Sequence, residues 1–176
     1  MTEVEYMRVA LPGLYPWVLL IAGSISFECL LVGFVGSGNR GKIFSKEFLE
    51  QFEDDHGGKP PGGGYPDHGN GHFSQKLSYK DWYEFNLAQR SHKNLLEFVT
   101  LVVAALCIVG VVFPVTAVVL GLLYLITAII YKVGFTMSPE KRLVGNLTRQ
   151  GTAMVIMIMS VVSCIVWISD VPSGTI

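Results

Sequence analysis

Four apolar stretches dominate the 176-residue chain: Leu11 to Gly36, Leu95 to Phe113, Val115 to Ile130, and Thr152 to Ile168. A helix needs about 20 apolar residues to cross a hydrocarbon layer roughly 30 Å thick, so each stretch qualifies or nearly so. Segments of this kind in lipid must satisfy their own backbone hydrogen bonds, which favours helices over strands in so short a chain. The expected fold is therefore an all-α, four-transmembrane-helix bundle in a single domain, residues 1–176. Its spans fall near 11–36, 79–113, 114–135 and 139–168, with an extended polar loop over 37–78. Composition agrees, since 51% of residues are hydrophobic against 15% charged and the mean hydropathy is +0.46, too apolar for a water-soluble core. Thirteen Lys and Arg against 14 Asp and Glu leave a net charge of −1, which gives a nucleic-acid partner no electrostatic footing.

The leader before the first span carries Glu3 and Glu5 with a single Arg8, unlike a cleaved signal, so the span is read as retained. Only Pro114 separates the second and third spans, which implies a tight antiparallel hairpin with proline in the first turn of the later helix. Twelve of the 13 basic residues, from Arg40 to Lys93 and from Lys132 to Arg149, lie in or beside the two connections on one side. The positive-inside tendency makes that side cytosol-like, with both chain ends opposite. Asn146-Leu147-Thr148 matches a glycosylation acceptor, but it lies on the basic side close to a helix and is expected to be unmodified. Cys29, Cys107 and Cys164 fall within apolar runs and read as small buried hydrophobes.

In the long connection, ten of the fifteen residues from Gly57 to Gly71 are Gly or Pro, which predicts an irregular, solvated loop. Ser45 can cap a short helix before it, whose Phe44, Phe48, Leu49 and Phe52 suggest an interfacial position. Asp67, His68 and His72 offer too few ligands at a fixed geometry to name a metal, and none is expected. Ser78 followed by Asp81 starts the next helix, which meets no breaker until Pro114 and must project beyond the membrane. Its Trp82, Tyr83 and Phe85 suit the headgroup layer.

Along that helix Arg90, Asn94 and Glu97 are spaced i, i+4, i+7 and share one face. A carboxylate inside a span is costly, so Glu97 should turn into the bundle and meet either Arg90, as an internal ion pair, or the ammonium of a ligand. Tyr131 and the run Ser138-Pro139-Glu140-Lys141-Arg142 form a second cluster, with Ser138 as cap and Pro139 in the first helical position. Lys141 and Arg142 at a helix N-terminus gain nothing from its dipole. They either mark a place that receives negative charge or reach to lipid headgroups. Glu28 places a further carboxylate in the first span, where a hydrogen-bonded contact at a subunit interface would accommodate it.

Taken together, these residues resemble the membrane-associated proteins in eicosanoid and glutathione metabolism (MAPEG), the superfamily of microsomal glutathione transferases and leukotriene C4 synthase. The likeness is to the microsomal glutathione S-transferase 3 type. It rests on Phe85-Asn86, Gln89-Arg90-Ser91-His92, Asn94 and Glu97, then Tyr131-Lys132-Val133-Gly134-Phe135 and Pro139 to Arg142, and covers most of the chain outside Lys46 to Lys76. It implies a homotrimer in which glutathione, as co-substrate and without a metal, binds at subunit interfaces near the cytosolic face. Arg90, Asn94 and Glu97 would then hold the γ-glutamyl end, Tyr131 would add a hydroxyl, and His92 with Arg40 or Lys42 would reach the glycine carboxylate. The resemblance puts Arg142 in the catalytic role, stabilising the glutathione thiolate, with Arg40 beside it.

The implied activity is membrane-bound glutathione transfer, or glutathione-dependent reduction of lipid hydroperoxides, on small lipophilic substrates from the bilayer. The membrane would be that of the endoplasmic reticulum or the mitochondrion. The chain departs from the family pattern in Phe98 and Phe135, where some relatives carry tyrosine, and in the length of the 46–76 loop. These differences leave open an alternative: a non-catalytic accessory subunit that contacts other subunits of a larger membrane complex through the loop. A lipid-binding scaffold without turnover is a third reading.

Overall fold

A computed structural model describes residues 11–38, 40–137 and 140–170, with side chains for all of these except 35–38, 136, 137 and 142. The helices are α1 (Tyr15–Gly38), the short α2 (Arg40–Ile43), α3 (Lys46–Glu50) and α4 (Glu53–His56), then α5 (Tyr79–Val112), α6 (Pro114–Met137) and α7 (Arg142–Asp170). Two 3-10 turns, Gly62–Gly64 and Ser74–Lys76, punctuate the connection between α4 and α5, and the described residues include no strand. Four helices, α1, α5, α6 and α7, are long and apolar enough to cross a membrane.

The boundaries follow local chemistry. Ser78 Oγ accepts a hydrogen bond from the Asp81 amide at 3.2 Å and donates to Asp81 Oδ2 at 2.6 Å, which closes the first turn of α5. The helix then runs for 34 residues, about 50 Å, before Phe113 leaves the helical region ahead of Pro114. In the four-helix arrangement α1 and α7 each pack on α5 and α6 and stand diagonal to one another. One core, built from Val18, Ile21, Val102, Leu106, Val109, Tyr124 and Ile156, fills much of the bundle. A second, with Cys29, Val32, Leu95, Ala128, Tyr131 and Phe135, lies toward the end where α1 runs into the long connection and α6 turns into α7. Outside, Met154, Ile158, Val161 and Ile165 line an exposed stripe of α7 at helical spacing, as a lipid-facing surface requires.

The long connection corrects the sequence reading in one respect. Ser45 does cap α3, accepting from the Phe48 amide at 3.2 Å. The aromatic face it launches packs within the protein: Phe44, Leu49 and Phe52 close on Phe73 and on Phe85 of α5, forming a third small core. The glycine-rich stretch, though largely exposed, is not a loop without fixed geometry. It wraps Arg40, which is 4% exposed and donates from Nε to the Gly63 carbonyl (3.0 Å) and from Nη2 to the carbonyls of Gly64 (3.2 Å) and Asp67 (2.6 Å). The Tyr65 ring covers the guanidinium at 4.0 Å. Gly64 and Gly69 have positive φ, and a Cβ on them would collide with the Phe44 ring and the Asn86 side chain, so glycine here permits close docking. Trp82 Nε1 and Asn86 Nδ2 both donate to the Gly69 carbonyl, which pins the loop to the first turns of α5.

Candidate functional site

At the loop-bearing end of the bundle, α5, α6 and α7 enclose a cavity of about 130 Å³ lined by Asn94, Glu97, Phe98, Tyr131, Asn146 and Gln150. Each helix contributes by register. On α5 the i, i+3 and i+4 spacing of Asn94, Glu97 and Phe98 puts all three on the side facing α7. Asn146 and Gln150 on α7 repeat the i, i+4 interval. Tyr131 is fully buried, and its hydroxyl accepts a hydrogen bond from Asn94 Nδ2 at 2.8 Å. Gly145 permits the close approach of α7 to α6, since a Cβ there would stand 2.6 Å from the backbone of Tyr131.

Of the residues singled out from sequence, the structure thus gathers Asn94, Glu97 and Tyr131. Arg90 lies one turn before Asn94, exposed, and neither it nor Glu97 forms an ion pair among the described residues. Glu97 is exposed at the cavity edge and does not turn inward to neutralise Arg90. His92 faces away from Asn94. Its ring packs where a Cβ on Gly33 of α1 would come within 2.8 Å, and it lines an apolar groove with Cys29, Phe34 and Leu96. Lys42 is exposed on α2. The side chain of Arg142 lies outside the described residues, as do Ser138 and Pro139; the α7 backbone begins at Arg142.

Arg40 is placed where its guanidinium serves the loop rather than the cavity. Burial pulls its pKa below the usual arginine value, opposed by Tyr65 and Asp67. Asp67 completes this structure. Burial alone would raise its pKa, but the amides of Ser74 (2.6 Å), Gly69 (2.8 Å) and Gly71 (3.0 Å) donate to its carboxylate and hold it below the ordinary aspartate value. Among the other possible ligands of that loop, His72 Nε2 lies 3.2 Å from Asp55 Oδ2 and His68 is exposed.

The sequence reading missed Arg149, counting it among the basic residues of a connection. It is 1% exposed inside α7. Nη1 donates to the Asn94 carbonyl at 3.2 Å and to the Tyr124 hydroxyl at 3.5 Å, and Nη2 donates to Asn146 Oδ1 at 3.4 Å. The Phe98 and Tyr131 rings lie 5.2 and 4.8 Å from its guanidinium carbon. The i, i+3, i+4 spacing of Asn146, Arg149 and Gln150 was the available signal, a polar stripe opening an otherwise apolar helix.

The cavity offers a carboxylate, three side-chain amides and a phenolic hydroxyl within a space holding roughly four waters at about 30 Å³ each. This suits a fragment the size of an amino acid that carries both an ammonium and a carboxylate. A family model described as the MAPEG family matches residues 9–162, and the chain belongs to that family. With four apolar helices it is an integral membrane protein. No curated protein matches it.

Proposed function

We propose that this protein is a membrane-bound glutathione transferase or glutathione-dependent peroxidase of the microsomal glutathione S-transferase 3 type, acting on lipophilic electrophiles or lipid hydroperoxides. The MAPEG family includes both activities. The observation that carries the reading is the cavity that Asn94, Glu97 and Tyr131 share with two further amides. Glu97 would take the ammonium of the γ-glutamyl end, and the Asn94 amide and the exposed Arg90 its carboxylate. The cavity is too small for the whole tripeptide, so the cysteinyl and glycyl parts would extend along the exposed face of α5 toward a second copy. A homotrimer supplies that copy. It also removes Arg90 and Glu97 from lipid, where an exposed charge is costly.

In this reading Arg142, at the start of α7, would stabilise the sulfur as the thiolate. A free thiol with a pKa near 8.5 is only a few per cent ionised at neutral pH. A guanidinium at contact distance and the dipole of a helix N-terminus both favour a thiolate. The thiolate then attacks an electrophilic carbon to form a thioether, as a leaving group departs with its bonding pair or an activated double bond opens and takes a proton. With a hydroperoxide it attacks the terminal oxygen, and the departing alkoxide takes a proton. His92 and Lys42 would reach the glycine end only where a neighbouring subunit brings them near, whereas the Arg40 guanidinium is committed to the loop. The basic connections would lie on the cytosol-like side of an endoplasmic reticulum or mitochondrial membrane.

Glutathione binding to the purified protein, followed by thiolate absorbance in wild type and Arg142→Ala, tests the proposal. Binding with a thiolate signal that the variant loses is the expected result. Absence of binding at millimolar glutathione would overturn it and favour an accessory subunit of a larger membrane complex.

A further inference from the structure

Arg149 touches four of the six residues that line the cavity: Asn94, Asn146, Phe98 and Tyr131. It is not itself part of the lining, so its charge sits one layer behind the wall. Its compensation is incomplete. The three hydrogen bonds are 3.2 to 3.5 Å long, and the buried Nε has no partner. Across the bundle centre, on the diagonal helix α1, Glu28 interacts electrostatically with Arg149, yet the two form no ion pair. One carboxylate oxygen of Glu28, Oε1, is likewise buried without a partner. The Tyr124 hydroxyl, which Arg149 reaches, lies in the field of both charges.

A buried cation whose counter-charge stands off at a distance retains a positive field in its surroundings, and low polarisability lets that field act over several ångströms. The cavity wall is the nearest place where a ligand can feel it. We propose that Arg149 and Glu28 are positioning residues that set the affinity of the cavity for an anionic ligand group. Arg149 supplies the attraction and orients Asn94 and Asn146, and Glu28 limits the attraction from the opposite side. The inference rests on the glutathione reading and deepens it, because neither residue lines the cavity. It assigns a function to two charges that the resemblance to the family leaves without one.

The test compares glutathione affinity at about pH 8 for the full chain in detergent, as wild type, Arg149→Gln and Glu28→Gln. Arg149→Gln should weaken binding at least about fivefold, and Glu28→Gln should tighten it about twofold or more, the opposite signs following from the opposite charges. Both shifts should persist at high salt, since the groups are shielded from ions. A purely structural pair would weaken binding in both variants, and that result overturns the inference while leaving the glutathione reading intact. Should Arg149→Gln fail to fold, the sign at Glu28→Gln decides: tightening supports the inference, and weakening or no change overturns it. Absence of binding to wild type overturns the glutathione reading and this inference with it.

Discussion

Arg40 and Arg149 are both arginines buried at the same end of the molecule, and their surroundings set them to different tasks. Arg40 spends its donors on three loop carbonyls under the Tyr65 ring, whereas Arg149 spreads longer contacts over the wall of a cavity. Nothing in the residue type separates these roles. They depend on contacts 23 to 55 positions distant in the chain, which spacing arguments do not reach. The loop chemistry around Arg40 has a pH signature through Asp67. Unfolded, its carboxyl titrates near 3.9; folded, three amides hold the pKa lower. A depressed folded value means that its contribution to stability is fully present above about pH 4 and is lost as pH falls through the lower folded value. Hydrogen exchange at the Gly69, Gly71 and Ser74 amides, corrected for intrinsic rate, should therefore stay slow at pH 5 and quicken only below about pH 4. Asp67→Asn should quicken it already at neutral pH, by an amount equivalent to roughly 1–3 kcal/mol, and abolish the acid-dependent step. Unchanged protection in that variant would mean the loop is held without the carboxylate.

Elements were more legible than residues. The four spans, the Ser78 cap, the Pro114 break and the α3 cap can all be read from periodicity and breakers, because each depends on neighbours within a few positions. Fixed loop geometry could not be read that way. Glycine enrichment marks an unstructured segment and a tightly docked one equally, and only Phe44 and Asn86 beside Gly64 and Gly69 reveal which applies. The same ambiguity attends glycines inside spans. Gly151 has nothing within 4 Å of where a Cβ would sit, while Gly145 has the Tyr131 backbone at 2.6 Å. Backbone cannot swing aside as a side chain does, so Gly145→Val should force α7 from α6 at a cost of roughly 1–3 kcal/mol. Because Tyr131 anchors the Asn94 hydrogen bond, glutathione binding should fall with it. Gly151→Ala, in the same helix, should leave binding intact and raise the melting temperature slightly through helix propensity. Equal tolerance at both positions would show that the α6–α7 crossing does not shape the cavity.

For the molecule as a whole, the unresolved tension is a carboxylate at the surface of a membrane helix. Glu97 is exposed on the single chain, in a segment where Leu96 and Leu101 also face outward, with Lys93 and Thr100. Either lipid faces it, at a cost of up to about 3 kcal/mol, or another protein surface does. The two cases give opposite signs for one substitution. If lipid covers the site, Glu97→Leu removes the penalty and the variant melts higher, with its mass in mild detergent unchanged. If a second copy covers it through polar contacts, leucine leaves those partners unsatisfied, so the assembly should dissociate at lower detergent concentration and melt lower. Wild type should then behave as a homo-oligomer by light scattering or native mass spectrometry, with a trimer as the expected mass. A wild-type monomer that Glu97→Leu stabilises would dismiss both the second copy and the extended tripeptide path along α5, leaving the cavity to hold only a small zwitterion.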